Sequence, residues 1–398
     1  MKEHYFLLDN VENWPFGGLH VKRGGVETHS IPVDHFLTHF GEFSYTNFYN
    51  TLKSDLLDKK AYKFIINFIH MPQNVEFKIS KEARAFLQTD PRYFLILMSP
   101  LEYQISPEEL SKYCSKNKIP LEKIVVICST TSAHKQTING IKYIAINYWE
   151  SITRHHHQVL PDTYVCDINQ RESQIRTATK KFLCLNRNVK PHRIWFMYAL
   201  IKSGMFEQGH VSYHLPKINK TDYDMLCAGH WVLKRIPEEL HRDFQKTNVT
   251  QMYPRMLDKI SHDLIIQYHK GPVRFYEDSL LSFVTESESS KNFLTEKTYK
   301  AIANMHPFFI IGNPDQHATL RARGYETFES LFGSSCVMDY KQAMEMLAHV
   351  NAMDIDVLKR TLLNNYLDKL IHNYKNFFSR RVSWQTIVQE IIDAIERK

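Results

Sequence analysis

Short apolar runs alternate with helical patterns along the first half of the chain. The apolar runs are continuous and rich in Ile, Val, Leu and Phe, which is typical of strands buried on both faces of a parallel sheet. They lie at residues 63–70, 93–99, 123–130 and 143–149. Between them, residues 80–89 and 106–117 show helical periodicity, and each begins with a serine that can cap a helix. The pattern predicts an α/β domain over residues 1–165.

The alternation starts again after a polar stretch of weak periodicity, residues 155–178, which we interpret as a connection between domains. Further strands are predicted at residues 181–188, 210–215, 280–287 and 307–312. Helices are predicted at residues 190–204, 295–305 and 317–324. This second series predicts another α/β domain over residues 176–375.

The end of the chain is predicted to be mostly helical from about residue 340. In its last segment, residues 376–398, one helical face carries the isoleucines Ile387, Ile391, Ile392 and Ile395. We predict that this helical tail crosses back to the first domain. The two successive α/β halves and the helical tail predict an α/β fold class, with two Rossmann-like domains facing across a cleft. Ligands of such sheets bind at the carboxyl ends of the strands, so we expect the ligand in this cleft.

The composition is that of an ordinary globular protein, with 43% hydrophobic and 23% charged residues among 398. No apolar run approaches the roughly 18 residues of a membrane span, and the N-terminal apolar run is too short for a signal peptide. We therefore expect a cytoplasmic protein without a transmembrane segment. The six cysteines form no CxxC pair, which favours reduced thiols over disulfides or a zinc site.

The net charge of +7 fits an anionic ligand or a nucleic acid, although it is also compatible with mild basicity alone. Neither half carries a GxGxxG or P-loop motif, which disfavours dinucleotide and NTPase functions. The consecutive histidines 155–157 cannot all face one ion on a regular element. Asp222-Tyr223-Asp224 has a metal-binding spacing, but one that is common by chance. We expect neither a metal nor a resident cofactor.

The most informative stretch is residues 285–312, where a strand, a short polar loop, a helix and another strand follow each other. Thr295 can cap the helix, and Glu296 and Lys297 open it. A helix N-terminus carries free N–H groups and partial positive charge, so it suits phosphate groups, and the lysine adds a full charge. The alternative is an ordinary charged first turn with no ligand.

This stretch resembles the donor-binding motif of the α-1,3-fucosyltransferases, in which a Glu-Asn-Ser turn precedes Asp-Tyr-Ile/Val-Thr-Glu-Lys. Glu286 matches the first glutamate, and the consecutive residues 295–297 match Thr-Glu-Lys without a gap. The departures from the motif are Ser287, Glu288, Asn292 and Phe293. The resemblance therefore leaves open which sugar and which nucleotide, UDP or GDP, the donor carries.

A second segment, residues 182–200, is similar to the family's element of strand, loop and arginine-led helix. Asn186 matches the asparagine at the strand end, and Arg193 falls on the arginine that holds the donor phosphates. Arg187 and Lys190 are additional cations in the same loop. A guanidinium at a helix start is a good diphosphate ligand, whereas without an anion it opposes the helix dipole.

The resemblance implies a GT-B-like glycosyltransferase that moves a sugar from a nucleotide-diphosphate sugar by inverting, metal-independent displacement. Arg193 and Lys297 would neutralise the diphosphate, and Glu296 would bind the ribose. More loosely, the second half looks like glycosyltransferase-like proteins of large phages and viruses, some of which modify hydroxymethylated DNA bases. A DNA base is therefore the expected acceptor, in the host cytoplasm if the protein is viral. The alternatives are a glycan or lipid-linked glycan acceptor, or a non-catalytic nucleic-acid-binding protein on a transferase scaffold.

The catalytic base is expected in the first half of the chain, as a carboxylate that takes the proton of the acceptor hydroxyl. Glu102 follows the strand at residues 93–99 and is the first candidate. Asp34 and Glu12 are the competitors, because they flank a segment with the glycines Gly17, Gly18, Gly24 and Gly25. Glycine clusters permit close approach of the backbone to a ligand.

Overall fold

The computed structural model of the protein describes its regular elements together with part of the loops. The described residues are 6–8, 63–68, 81–99, 107–128, 135–145, 147–159, 167–186, 190–213, 273–287, 289, 292–380 and 384–396. The chain divides into two compact units. The first comprises Met1–His155 and Arg381–Lys398, and the second comprises His156–Arg380.

Ten strands are found in the described part of the chain. They are β1 Phe6–Leu8, β2 Lys63–Phe68, β3 Tyr93–Ser99, β4 Ile124–Cys128, β5 Lys135–Ile138, β6 Ile141–Ala145, β7 Lys180–Asn186, β8 Gly209–Tyr213, β9 Ser279–Thr285 and β10 Phe308–Ile311. The first six form one sheet and the last four form another.

The α-helices accompany the strands in both units. They are α1 Lys81–Thr89, α2 Pro107–Lys116, α3 Tyr148–Val159, α4 Ile168–Thr177, α5 Pro191–Lys202, α6 Val273–Glu277, α7 Glu296–Ala303, α8 Asp315–Ala322, α9 Glu329–Phe332, α10 Tyr340–Ala352, α11 Ile355–Thr361, α12 Leu367–Ser379 and α13 Trp384–Glu396. Short 3₁₀ turns precede β4 and β8, and a π-helical turn at Leu362–Tyr366 joins α11 to α12. The α/β class with two largely parallel sheets and a helical C-terminal region is thereby confirmed.

The sheet of the first unit has the strand order β1-β2-β3-β4-β6-β5, and every pairing in it is parallel except that of β5 with β6. All five residues of β4 are buried, as expected for a strand covered on both faces. The apolar runs predicted as strands at residues 63–70, 93–99 and 123–130 correspond to β2, β3 and β4. The β-branched and aromatic residues that make up most of these runs have strong β propensity, which explains why the pattern identifies them as strands.

The fourth predicted strand, residues 143–149, is wrong at both ends. β6 begins earlier because Asn139 and Gly140 form a tight turn with φ angles of 52° and 82°, which pairs β6 with the antiparallel β5. Two positive φ angles in a two-residue hairpin loop match the twist of the flanking strands, and Asn-Gly is the preferred pair. The strand ends before Asn147, whose Oδ1 accepts the backbone N–H of Glu150 at the start of α3.

The terminal helix α13 packs on the sheet of the first unit. The Nζ atom of Lys142 in β6 donates a hydrogen bond of 3.1 Å to the carbonyl of Ile395. Ile391 and Ile392 are buried, in agreement with an apolar face on this helix. Burial of two isoleucine side chains stabilises such a contact by about 1.5–3 kcal/mol each.

The sheet of the second unit has the order β10-β9-β7-β8, with all pairings parallel. From β7 the chain passes to β8 on one side, and the later strand β9 lies on the other side of β7. The order of the strands therefore reverses between β7 and β9. In open α/β sheets, such a switch point leaves a crevice at the carboxyl ends of the two strands, where ligands bind.

Residues 155–178, interpreted as a connection between domains, contain the end of α3 and the whole of α4, and the two compact units divide at the start of this stretch, between His155 and His156. Asp167 caps α4 by accepting the backbone N–H of Asn169, and Ile175 of this helix is fully buried. Arg171 is also buried and donates to the carbonyl of Tyr276 at 3.3 Å. The many polar residues of α4 hide its helical pattern, since a single apolar side chain and an arginine supply its contact with the core.

Within the described residues, no helix combines the length and the apolar character that crossing a membrane requires.

Because of the buried side chain of His317 on α8, we expect the stability of the second unit to fall in acid. Its Nε2 accepts the backbone N–H of Ile310 at 3.1 Å, and burial lowers the pKa of His317 to about 4, against the influence of nearby Glu329. The unfolded chain, with an ordinary pKa near 6.5, therefore binds one more proton between these values. Stability contributed by neutral His317 should be full above about pH 6.5 and should be lost progressively as the pH falls to about 4.

The measurement is urea unfolding across this pH range. In the His317→Gln variant, the free energy of unfolding should vary less with pH than in the unmodified protein, whereas His349→Gln, at an exposed position, should leave the slope unchanged. Equal slopes for the unmodified protein and His317→Gln would show that His317 does not carry this dependence.

Candidate functional site

The two central strands of the second sheet end side by side. Asn186 is the last residue of β7 and Thr285 is the last residue of β9, and the hydroxyl of Thr285 donates to Oδ1 of Asn186. Both side chains are buried. Asn186 thus lies at the strand end where the sequence predicted it, and its contact with Thr285 fixes the switch point between β7 and β9.

Glu286, directly after β9, connects the strand end to the helix α7. Its side chain is fully buried, and its two carboxylate oxygens accept hydrogen bonds from the backbone N–H and the hydroxyl of Thr295 and from the hydroxyl of Thr298. The backbone N–H of Ser287 adds a bond of 3.3 Å. A buried carboxylate requires such donors, and a helix N-terminus further favours its negative charge.

The first turn of α7 has the predicted cap. Thr295 is the N-cap residue, and its Oγ1 accepts the backbone N–H of Lys297. Because the same hydroxyl donates to Glu286, the cap and the buried carboxylate fix each other. The turn that opens with Glu296 and Lys297 is thereby held at the carboxyl end of β9.

Two lysine ammonium groups converge on Ser287. The Nζ of Lys190, at the N-cap of α5, lies 2.5 Å from the carbonyl of Ser287, and the Nζ of Lys297 lies 3.1 Å from its hydroxyl. The Lys297 side chain is 14% exposed. Two cations and a hydroxyl around one residue at a switch point form a cradle of the kind that binds phosphate groups.

Arg193 has a position that the sequence did not reveal. It is almost completely buried, and its Nη2 donates to the carbonyls of Thr285 and Glu286 at 3.1 and 3.2 Å. The neighbouring His192 donates from Nε2 to the same carbonyl of Glu286 at 2.8 Å. These bonds join the start of α5 to the end of β9. They also place the charge of the guanidinium next to the loop that begins at Glu286.

Glu296 is the partner of Lys297. Its Oε1 lies 2.7 Å from the Nζ of Lys297, and its side chain is only 2% exposed. The ion pair joins neighbouring residues on the first turn of α7. The site therefore contains two buried carboxylates, of which Glu286 is bound by N–H and hydroxyl groups and Glu296 by an ammonium group.

Two departures from the fucosyltransferase motif have visible consequences. Phe293, which stands where the motif has tyrosine, is fully buried, and Gln316 donates to its carbonyl at 2.8 Å. A phenol at this position would need a buried partner for its hydroxyl, so phenylalanine suits the core here. Asn292, in place of aspartate, donates to the hydroxyl of Thr319 on α8 at 2.7 Å. Both residues thus fix the loop between β9 and α7.

The remaining site predictions lie outside the described residues. They are Arg187, the candidate bases Glu102, Asp34 and Glu12, the glycine-rich segment at residues 17–25 and the Asp222–Asp224 tripeptide. Among the described residues, no three His, Cys, Asp or Glu side chains gather as metal ligands would. His157, from the histidine triplet, is buried, and its ring packs edge-on against Phe378.

Three of the groups that build the site are not predicted as site residues from the sequence. In the sequence, His192 and Thr298 are only members of predicted helices and Ser287 is only a departure from the donor motif, although each contacts Glu286 or a lysine of the cradle. A signal for Thr298 exists in hindsight, since a threonine three residues after a cap faces the same side of the first turn. His192 carries no comparable signal, because its partner is a backbone carbonyl.

Comparisons with known proteins give only a distant likeness. No protein-family model and no curated protein matches the chain. A UDP-forming α,α-trehalose-phosphate synthase from Burkholderia xenovorans has a TM-score of 0.41 and 11% identity, covering 88% of this chain and 77% of its own. The corresponding synthase from Burkholderia multivorans has a TM-score of 0.41 and 10% identity, covering 91% and 76%.

The N-terminal domain of trehalose-6-phosphate phosphatase from Candida albicans is similar to the same degree, with a TM-score of 0.41 and 10% identity over 89% of this chain and 74% of that one. Likeness at this level says nothing about activity, which depends on the residues of the site described above.

Glu286 should be the residue on which the folded site depends most. In the Glu286→Ala variant, the N–H and hydroxyl groups of Thr295 and Thr298 lose their buried acceptor, so we expect the free energy of unfolding to fall by about 3–5 kcal/mol. Urea unfolding measures this change. Glu172→Ala is the matched control, because Glu172 is 53% exposed and its loss should cost under about 1 kcal/mol. Equal effects of the two substitutions would contradict the role of Glu286.

Proposed function

We propose that the protein is a nucleotide-sugar-dependent glycosyltransferase of fucosyltransferase-like type, with its donor site at the ends of β7 and β9. The observation that carries the proposal is the pair of ammonium groups, from Lys190 and Lys297, that converge on Ser287 at the switch point. A nucleoside diphosphate is an anion of the size and charge that such a cradle suits. The match of residues 286 and 295–297 to the donor motif supports the same ligand.

The chemistry proposed is a direct displacement at the anomeric carbon of the donor sugar. The acceptor oxygen forms the new glycosidic bond while the bond from the anomeric carbon to the phosphate oxygen breaks, and a carboxylate takes the acceptor proton. Negative charge develops on the leaving diphosphate, where Lys190 and Lys297 would stabilise it. This mechanism inverts the anomeric configuration and uses the nucleotide sugar as co-substrate without a resident metal or cofactor.

Arg193 takes a supporting role in this proposal. Its hydrogen bonds to the carbonyls of Thr285 and Glu286 position the loop, and its buried charge raises the electrostatic potential where the phosphates would bind. Arg187 and Thr295 complete the proposed donor-binding set, Thr295 as the cap that orients the first turn of α7. The proposal keeps Glu296 as the residue that binds ribose hydroxyls.

The acceptor is proposed to be a hydroxymethylated DNA base, and the protein is proposed to act in the cytoplasm. The net charge of +7 and the loose resemblance to phage and viral transferases support this choice. A glycan or a lipid-linked glycan is the second candidate, and non-catalytic binding of nucleic acid is the third. The three differ in whether sugar is transferred and in whether DNA is required.

The donor site is tested by binding. The protein should bind UDP or GDP, and the Lys297→Ala and Lys190→Ala variants should each bind the preferred nucleotide about 10- to 100-fold more weakly, because each loses a charge-assisted contact worth about 1.5–3 kcal/mol. Titration calorimetry gives the dissociation constants. Lys369→Ala is the control, because Lys369 is 41% exposed, lies on α12 and is not one of the proposed donor-binding residues. No affinity for either nucleotide would reject the proposed function.

The catalytic base is tested by turnover. Glu102→Gln keeps the shape of the side chain and removes the proton acceptor, so kcat should fall by roughly 10²–10⁴ while donor affinity is retained. Transfer of labelled sugar to hydroxymethylated DNA and to free glycans measures the effect and identifies the acceptor class. Glu109→Gln, at an exposed position on α2, should have no effect. Full activity of Glu102→Gln would move the role to Asp34 or Glu12.

A further inference from the structure

A third strand end lies against the loop between β9 and α7, residues 287–294, which we call the donor loop. Gly312 follows β10 directly and has a φ angle of 154°, in a region that residues with a side chain rarely adopt. A Cβ atom on Gly312 would lie only 3.2 Å from Cα of Ser289, a buried residue of the donor loop. Glycine therefore lets the loop approach the carboxyl end of β10 more closely than any other residue would.

The helix after β10 binds the second half of the donor loop. Nε2 of Gln316, at the start of α8, donates to the carbonyl of Phe293 at 2.8 Å, and both residues are fully buried. One turn further along α8, the hydroxyl of Thr319 accepts a bond of 2.7 Å from Asn292. Phe293 precedes the helix cap Thr295 by two positions. The two bonds therefore fix the chain immediately before the first turn of α7.

This support reaches the lysine cradle through the helix cap. The Nζ of Lys297 lies 3.2 Å from the hydroxyl of Thr295 and 3.1 Å from the hydroxyl of Ser287. The donor loop thus begins with one of these two acceptors and leads into the other. A displacement of the loop would move the ammonium group without removing any charge that a diphosphate binds. Because hydrogen bonds weaken steeply with distance and angle, such a displacement would still reduce binding.

We propose that Gln316 is a positioning residue for nucleotide binding, and that the end of β10 and the start of α8 support the donor loop so that Lys297 meets the diphosphate. This inference rests on the proposed function, and it adds to the donor site a residue that acts through the loop. An amide suits this role because it holds a backbone carbonyl and adds no net charge that would attract or repel the phosphates.

The experiment compares dissociation constants of the preferred nucleotide, UDP or GDP, by titration calorimetry. Gln316→Met keeps the size of the side chain and removes the donor to Phe293, so the nucleotide should bind about 3- to 10-fold more weakly, the effect of one hydrogen bond. Asn373→Leu is the matched control, because Asn373 is also a buried amide and donates to the carbonyl of Glu326 at 2.8 Å, in the chain that follows α8. It should lower the free energy of unfolding and leave the nucleotide affinity unchanged.

A double-mutant cycle separates positioning from a general loss of stability. If Gln316 acts through the cradle, Gln316→Met should cost less than about twofold in nucleotide affinity in the Lys297→Ala background, because the group that it positions is gone. A general loss of stability would instead weaken binding by the same factor in both backgrounds.

Gly312→Ala tests the same support from the side of β10. The added Cβ atom displaces Ser289, so nucleotide binding should again weaken by about 3- to 10-fold, as for the loss of one hydrogen bond. Gly204→Ala is its control, because Gly204 also has a positive φ angle, 71°, but a Cβ atom there would meet no other atom within 4 Å.

Unchanged nucleotide affinity in folded Gln316→Met or in folded Gly312→Ala would overturn the inference. So would an equal loss of affinity in Asn373→Leu, or an equal effect of Gln316→Met in the two backgrounds of the cycle. All of these results leave the donor site in place, whereas a protein that binds neither nucleotide overturns the proposed function and the inference together.

Discussion

The buried carboxylate of Glu286 is the group on which the arrangement of the site depends. Its side chain binds the cap and first turn of α7 through Thr295 and Thr298, while its backbone carbonyl receives the start of α5 through His192 and Arg193. One residue thus joins a strand end to two helices. The interior accepts this charge because a helix N-terminus and several donors surround it, so its desolvation is offset locally.

The order of the strands explains why distant segments meet at this residue. Asn186 and Thr285 are 99 positions apart, yet they are in contact because β7 and β9 are neighbours in the sheet. Parallel strands direct their carboxyl ends to one edge, and the reversal of strand order at β7 and β9 leaves room between the loops that follow. Lys190 ends the connection after β7 as the N-cap of α5, and Lys297 lies on the first turn of α7 after the other connection. Their convergence is therefore a consequence of topology rather than of local sequence.

Much of this architecture follows from the sequence because its signals are local. Continuous apolar runs identified most strands, and Thr295 before Glu296 identified a capped helix. The hairpin at Asn139 and Gly140 was equally readable, since that dipeptide strongly favours a tight turn, but the polar strand before it concealed the pairing. The role of Arg193 was not readable: its partners are backbone carbonyls of a strand 92 residues away, and no residue pattern encodes them.

The two buried carboxylates of the site, Glu286 and Glu296, differ in the groups that bind them. Glu286 is bound by N–H and hydroxyl groups that belong to the fold, so exchanging any of them for a ligand would loosen α7. Glu296 is paired with the side chain of Lys297, whose Nζ also donates to the hydroxyls of Ser287 and of the cap residue Thr295. The first carboxylate is bound by neutral donors and keeps its full charge in the interior, whereas the charge of the second is balanced by an ammonium group. Glu286 therefore fixes the arrangement of the helices around the site, and Glu296 sets the net charge beside the Lys297 ammonium group.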